Sequence, residues 1–255
     1  MPGKVALVTG ASSGIGRATA TRLAQARFNL ILLDVAVKPL SELAASLAKK
    51  YKIKVLAEAV DVRDRARINA ITGALLKPWQ KIDVLVNCAG VALSRSPLHE
   101  GDPADWDAMI DINIKGMLYV FRAVVPFMIK KGSGHIINIG SITGKETYPA
   151  GSVYSITKHA TIAMSDSMRM DLIPFGIKVT TINPGRVATS LSLVRYKGDK
   201  ARAAADYQGF EPLQPKDIAE AIYFVITRPA HVNIHDMIIT PAAQAGANYI
   251  FKRAN

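Results

Sequence analysis

Short apolar runs rich in β-branched residues recur along the chain, and between them lie longer stretches whose apolar positions return every three or four residues. The short runs cover 4–9, 28–34, 54–60, 82–87, 134–140, 177–182 and 237–240, and the spacing predicts helices over 17–27, 41–51, 65–76, 103–130, 152–173 and 216–227. The runs do not alternate with polar residues, as befits strands covered on both faces. Their regular alternation with helices predicts a single α/β domain over 1–255, a doubly wound sheet of about seven parallel strands with helices on both faces. Two stretches break the pattern. Between 186 and 215 the periodicity lapses, which suits a substrate lid, and 241–255 has too little pattern to stand alone and is expected to dock on another subunit.

Polar residues collect where the runs end. The first is followed by Gly10, Ser12, Ser13, Gly14, Ile15 and Gly16 at the mouth of a helix, a layout that turns helix N-terminal amides towards a pyrophosphate. The second closes on Asp34, about 20 residues beyond the turn, where a carboxylate accepts hydrogen bonds from the adenosine ribose hydroxyls of NAD. A carboxylate there repels the 2'-phosphate of NADP, and the following Val35 and Ala36 bring no cation to neutralise it. NAD is therefore the expected cofactor and NADP the alternative. Asp61 and Val62 end the third run, where a polar side chain can reach the adenine ring; Asn87, Ala89 and Gly90 end the fourth, and Pro184 and Gly185 follow the sixth. Ligands of open parallel sheets bind at such carboxyl ends.

The fifth run ends in Ser141, and the helix after it carries Tyr154 and Lys158. Positions i and i+4 share one helix face, so the ammonium sits near the phenol. A positive charge there favours the phenolate and draws the tyrosine from its usual pKa of about 10 towards acid/base work at neutral pH. Ser141 can then hold a substrate oxygen. Tyr196 and Lys200 repeat the spacing, but Gly198 lies between them and no apolar run ending in serine precedes them, so the repeat reads as chance. Asn113 falls inside the 103–130 helix, where asparagine is either exposed or employed.

Composition narrows the partners. The 255 residues are 49% apolar and 20% charged, ordinary for a soluble domain, with a formal charge of +12. That charge permits an anionic partner, but the basic residues are spread along the chain without interleaved aromatics, which argues against nucleic acid. The single cysteine, Cys88, rules out an intrachain disulfide and suits a reducing compartment. Thr9 and Gly10 interrupt the first apolar run, and no window reaches the roughly 18 uninterrupted apolar residues of a membrane span, so a cytoplasmic protein is expected. His231 and His235 have a metal-ligand spacing, yet Pro229 and Asn233 place them in a loop, and no metal is expected.

Taken in order, these motifs resemble those of the short-chain dehydrogenase/reductase family over nearly the whole chain. The resemblance implies a Rossmann-type fold in which Asn113, Ser141, Tyr154 and Lys158 form a catalytic tetrad. It also implies that Lys158 holds the nicotinamide ribose, that Asn113 anchors a water relaying protons from Lys158, that Pro184, Gly185 and Val187 lie beside the nicotinamide, and that the protein is a homotetramer. The segments 148–151, 194–199, 228–233 and 237–244 narrow the likeness to the serine 3-dehydrogenase and 3-hydroxy acid dehydrogenase branch. Members of that branch usually prefer NADP and carry basic residues where this chain has Asp34, Val35 and Ala36. The implied reaction is reversible hydride transfer between the cofactor and a secondary alcohol or carbonyl of a small molecule, a 3-hydroxy acid or serine-like compound. Ser141, Tyr154 and Arg186 are the expected substrate contacts, with Arg195 and Lys145 as further cations for a carboxylate. The alternatives are a reductase of this family acting on a sugar alcohol, a steroid or a carrier-bound 3-oxoacyl chain, and a cofactor-sensing scaffold, which an intact tetrad disfavours.

Overall fold

An apolar strand buried on both faces needs cover on both sides, and the chain supplies it in turn. The computed structural model describes residues 3–252. Its strands are β1 (Val5–Thr9), β2 (Asn29–Asp34), β3 (Val55–Ala59), β4 (Ile82–Asn87), β5 (Gly134–Ile139), β6 (Ile177–Pro184) and β7 (Asp236–Ile239), all parallel in the order β3-β2-β1-β4-β5-β6-β7. The helices are α1 (Gly14–Gln25), α2 (Val37–Tyr51), α3 (Arg65–Gly73), α4 (Pro103–Ile110), α5 (Met117–Lys131), α6 (Ser152–Leu172), α7 (Leu191–Arg195), α8 (Lys200–Ala205) and α9 (Pro215–Ile226). One face of the sheet packs on α1, α2 and α9 around Leu23, Leu30, Leu32, Leu40 and Ile222, the other on α3, α5 and α6 around Leu7, Ile31, Leu85, Val124 and Met168. The chain leaves β1 towards β2 and returns on its other side as β4. At that reversal the connecting loops part and leave a crevice beyond the strand ends.

Two expectations meet a different structure. The long helix expected over 103–130 is interrupted by a π turn at Asp111–Gly116, a widened turn typical of functional positions. Gly116 passes so close to Val62 that a Cβ would stand 2.5 Å from its Cγ2. Helix α2 starts at Val37 rather than 41, because Pro39 falls in the first turn, where its missing N–H costs no helical bond. The tail after β7 also makes hydrogen bonds within its own chain. The Ala247 amide donates to Glu146 at 2.7 Å, Asn248 Nδ2 to the Thr147 carbonyl at 2.8 Å, and Gln244 Oε1 accepts from the Arg186 amide at 2.8 Å. Residues 253–255 of that tail lie outside the described residues. The run Pro103–Lys131 is long and apolar enough by length and composition to cross a membrane, yet Met109, Val120, Val124 and Met128 are buried in the protein core.

A buried histidine braces β5 on β6. Thr180 Oγ1 donates to the Ile234 carbonyl and so accepts from His135 Nε2 at 2.9 Å, which leaves Nδ1 unprotonated and without a partner. Burial, with Lys178 adding to it, pushes the His135 pKa down to about 3. The unfolded chain takes up a proton near pH 6.5 and the folded one not until about 3, so this contribution to stability is complete above pH 6.5 and is lost as the pH falls below it. Urea midpoints measured from pH 7 to 4 are expected to fall more steeply for the natural protein than for His135→Gln, the difference approaching about 1.4 kcal/mol per pH unit near pH 5. Parallel curves would show that His135 is not held neutral.

Candidate active site

The loops at the reversal are tied down by short polar side chains. Thr9 Oγ1 accepts from the amides of Cys88 and Ala89, both at 3.0 Å, and joins the end of β1 to that of β4. Asp34 joins β2 to the glycine turn: Oδ2 accepts from the Ser12 amide at 2.9 Å and Oδ1 from the Ala36 amide at 3.0 Å. Gly10 lies at φ 63°, a conformation that favours glycine, and a Cβ on Gly16 would run into the Gly10 carbonyl oxygen. The first turn of α1 therefore approaches β1 closely, with no acidic residue to oppose its positive end. Above it opens a cavity of about 650 Å³. Asp34, Val35, Ala36, Asp61, Val62 and Arg63 line it on the β2 and β3 side, and Ser141, Tyr154 and Lys158 on the β5 and α6 side.

Each group of the catalytic trio has a defined hydrogen-bonding state. Ser141 Oγ accepts from the Thr143 amide at 3.2 Å and from Thr143 Oγ1 at 3.0 Å. Its own proton has only the Pro184 carbonyl at 3.5 Å, long for a hydroxyl, and is free to meet an oxygen in the cavity. Lys158 Nζ donates to the Ile139 carbonyl at 2.9 Å and lies 5.8 Å from the centroid of the Tyr154 ring. Burial draws the Lys158 pKa down to about 8, so its charge is fully present only well below that pH unless an anion stands nearby.

A second cation reaches the same tyrosine. The Arg195 guanidinium carbon lies 5.1 Å from the Tyr154 ring centroid, and its side chain is only 9% exposed. It forms no hydrogen bond among the described residues, and the nearest carboxylate oxygen, Asp206 Oδ2, is 3.9 Å away. A small cavity of about 70 Å³ is bounded by Ser141, Tyr148, Tyr154, Arg186, Arg195 and Gln244. Asp206, itself buried, accepts from Ser192 Oγ at 3.0 Å and Tyr196 OH at 3.1 Å, and Arg186 approaches it at 3.3 Å.

Of the residues expected at the site, Gly10, Ser12, Ser13, Gly14, Ile15, Asp34, Asp61, Val62, Ala89, Gly90, Ser141, Tyr154, Lys158, Pro184, Gly185 and Val187 line the larger cavity. Gly16 is buried beneath the turn. Asn87 is 2% exposed and its Nδ2 donates to Asn138 Oδ1 at 2.9 Å inside the sheet, while the residues that follow it, Cys88, Ala89 and Gly90, line the cavity. Asn113 stands behind the wall, its Oδ1 accepting from the Val91 amide and its Nδ2 donating to the Val91 carbonyl and Thr157 Oγ1. One lone pair of Oδ1 is all the side chain has left for a water. A Cβ on Gly90 would meet Asn113 Oδ1 at 3.2 Å and Lys158 Nζ at 3.8 Å, so the bare glycine keeps the space between them open. Lys145 pairs instead with Asp236 on β7, and Tyr196 is occupied by Asp206, far in role from its apparent twin. Arg63, Thr189, Ser190 and Tyr148 were missed; the polar pair after Val187 and the aromatic beside Pro149 were the available signals.

A family model described as short chain dehydrogenase matches residues 4–199. The chain is 40% identical over 254 residues to the NADP-dependent 3-hydroxy acid dehydrogenase of Schizosaccharomyces pombe, covering 99% of this chain and 98% of that protein. It is 39% identical to sulfoacetaldehyde reductase 2 of Chromohalobacter salexigens, with 98% of each covered. A solved closed form of serine dehydrogenase complexed with NADP+ superposes with a TM-score of 0.91 at 39% identity, covering 98% of this chain and all of that one. These relatives overturn the preference for NAD that Asp34 suggested. At this end of the cavity Asp34 accepts from the Ser12 and Ala36 amides, and a cation absent from the loop after β2 is supplied from the loop after β3 by Arg63, which pairs with Asp61.

Cys88 lines that cavity too, and burial pushes its thiol up to about 12. Alkylation of the native protein at pH 8 is expected to be far slower than that of a free thiol, with one equivalent reacting promptly in guanidinium chloride. Prompt reaction of the native thiol would show that its pKa is not raised.

Proposed function

The chain belongs to the short-chain dehydrogenase family and is an oxidoreductase acting on CH–OH groups; on that premise we propose that it interconverts the hydroxyl and carbonyl of a small 3-hydroxy acid or serine-like substrate, using NADP(H). The observation that carries the substrate is Arg195, a nearly buried guanidinium without a hydrogen-bond acceptor, placed beside Ser141 and Tyr154. Burying an unpaired charge is costly. A substrate carboxylate on that guanidinium offsets the cost and sets the adjacent hydroxyl-bearing carbon against the tyrosine. The relatives support the same class, one named for 3-hydroxy acids and one for serine.

The residues present fit the cofactor. Amides at the start of α1 and the close-packed Gly10 and Gly16 would hold a pyrophosphate, Arg63, though paired with Asp61, would offer a cation to a 2'-phosphate, and Lys158 would hold the ribose on the nicotinamide side. When bound, NADP(H) supplies or accepts the hydride. The chain does the rest. Tyr154 takes the proton from the substrate hydroxyl in oxidation and returns one in reduction, while Lys158 and Arg195, on the same ring, favour negative charge on its oxygen. Ser141 donates its free proton to the substrate oxygen. Asn113 ties α4–α5 to Val91 and α6 and keeps the space over Gly90 open for a relay of protons from Lys158. The segment 186–215 serves as lid, since Val187, Thr189, Ser190, Leu191 and Val194 roof the cavity. The same reading makes the protein a cytoplasmic homotetramer, in keeping with its lone free cysteine and the exposed apolar Ile156, Met170, Ile173 and Phe175 along α6 and its end.

Tyr154→Phe is expected to lower kcat by roughly 100 to 10,000-fold while NADPH binding, followed by fluorescence, changes little; retained turnover would remove Tyr154 from the mechanism. Arg195→Ala is expected to lower kcat/KM for a 3-hydroxy acid by about thirtyfold or more, the equivalent of about 2 kcal/mol, and that for uncharged secondary alcohols by clearly less. An equal loss for both would show that Arg195 does not read the carboxylate.

A further inference from the structure

Outside the catalytic pocket lies a cavity of about 920 Å³ that the reaction so far does not use. It shares Tyr148, Arg186 and Ala247 with the smaller cavity around Arg195, so the two adjoin at these side chains. Its charged lining is lopsided. Arg95, Arg186, Arg202 and Lys252 face a single carboxylate, Asp206. Arg95 approaches Asp206 Oδ1 only to 3.9 Å and Arg186 Oδ2 to 3.3 Å, while Arg202 and Lys252 have no carboxylate within 4.0 Å among the described residues. Ser192 and Tyr196 also donate to its two oxygens, so one carboxylate is shared among several donors.

The arginines are nevertheless held in place. The guanidinium of Arg95 lies 5.5 Å from the Tyr148 ring centroid and that of Arg202 4.7 Å from the Tyr196 centroid. A ring face steadies a guanidinium without using its N–H donors. The guanidinium donors of Arg95 and Arg202 therefore form no hydrogen bond among the described residues, while Arg186 leans on Asp206 at 3.3 Å, an arrangement suited to the fork-like recognition of a carboxylate or phosphate.

We propose that this outer cavity is a second anion subsite, so that the preferred substrate is a hydroxy acid carrying a further anionic group at the end remote from the carboxylate on Arg195. The inference rests on the 3-hydroxy acid reading and narrows it to dianions. The remote anion lies among Arg95, Arg186, Arg202 and Lys252, the chain passes between Tyr148 and Arg186, and the hydroxyl-bearing carbon stays at Ser141 and Tyr154. Asp206 holds the inner and outer cations together by lying within 4.0 Å of Arg95, Arg186 and Arg195 at once.

The test compares kcat/KM for 3-hydroxybutyrate, 3-hydroxyglutarate and the 4-phosphate ester of 3,4-dihydroxybutyrate, in the natural protein and in the Arg202→Gln/Lys252→Gln double variant, with thermal melting to confirm that the variant is folded. The dianions are expected to exceed 3-hydroxybutyrate by about tenfold or more, equivalent to about 1.4 kcal/mol, with an advantage that shrinks as salt rises. The double variant is expected to bring them down to about the level of 3-hydroxybutyrate. Gain by the dicarboxylate alone or by the phosphate ester alone supports the subsite and identifies the anion it takes. No gain in the natural protein, or a gain undiminished in the variant, overturns it. Turnover of 3-hydroxybutyrate without preference leaves the 3-hydroxy acid reading standing and removes only the outer subsite; turnover of none of the three overturns both.

Discussion

Three short polar side chains at the carboxyl edge of the sheet take up hydrogen bonds that the chain loses as it leaves its strands. Thr9 serves the amides of Cys88 and Ala89, Asp34 those of Ser12 and Ala36, and Asn183 that of Ser141. Buried amides without partners are costly, and at this edge the ladder that satisfies them within the sheet has ended. Because each acceptor belongs to a neighbouring strand, the loops are fixed relative to one another as well as to their own strands. The glycine turn, the wall over Gly90 and the serine beyond β5 are thereby set around one crevice, and the catalytic groups inherit their geometry from it.

The same edge explains how the chemistry is distributed. Helix α6 brings Tyr154 and Lys158 to the crevice on one face, and Thr143 sets the direction of the Ser141 proton by donating twice to its oxygen. The segment after β6 then brings Arg195 over the tyrosine. Lys158 and Arg195 are both nearly buried, yet neither has a carboxylate in hydrogen-bonding contact. Cations in low dielectric with no carboxylate paired to them among the described residues favour the arrival of negative charge, which is what a phenolate, a substrate carboxylate and a phosphate each bring.

Asp34 shows how a residue in the expected position can hold a different job. From the sequence its place after the second strand reads as a ribose contact and a barrier to NADP. In the fold both its oxygens face backbone amides of the turn and of the loop after β2, and the basic residue on this side of the cavity comes from the loop after β3, as Arg63, paired with Asp61 at 2.6 Å. Relatives of similar length and about 40% identity are NADP enzymes by name or by bound cofactor.

What the sequence by itself determined was the alternation of apolar runs and helices, hence the parallel sheet, and the polar clusters at the strand ends, with Ser141, Tyr154 and Lys158 among them. These are legible because strand burial and helix periodicity are properties of neighbouring residues, and because an i, i+4 pair needs only one helix to meet. The tertiary structure alone decided which polar residues face the crevice. Asn87 turned into the sheet towards Asn138, Asn113 was consumed by Val91 and Thr157, and Lys145 went to Asp236. It also brought Arg95, Arg186 and Arg195 around Asp206 from segments with no common period. Charge pairing and hydrogen bonding join residues far apart in the chain, so their partners are chosen by packing, which local pattern does not encode.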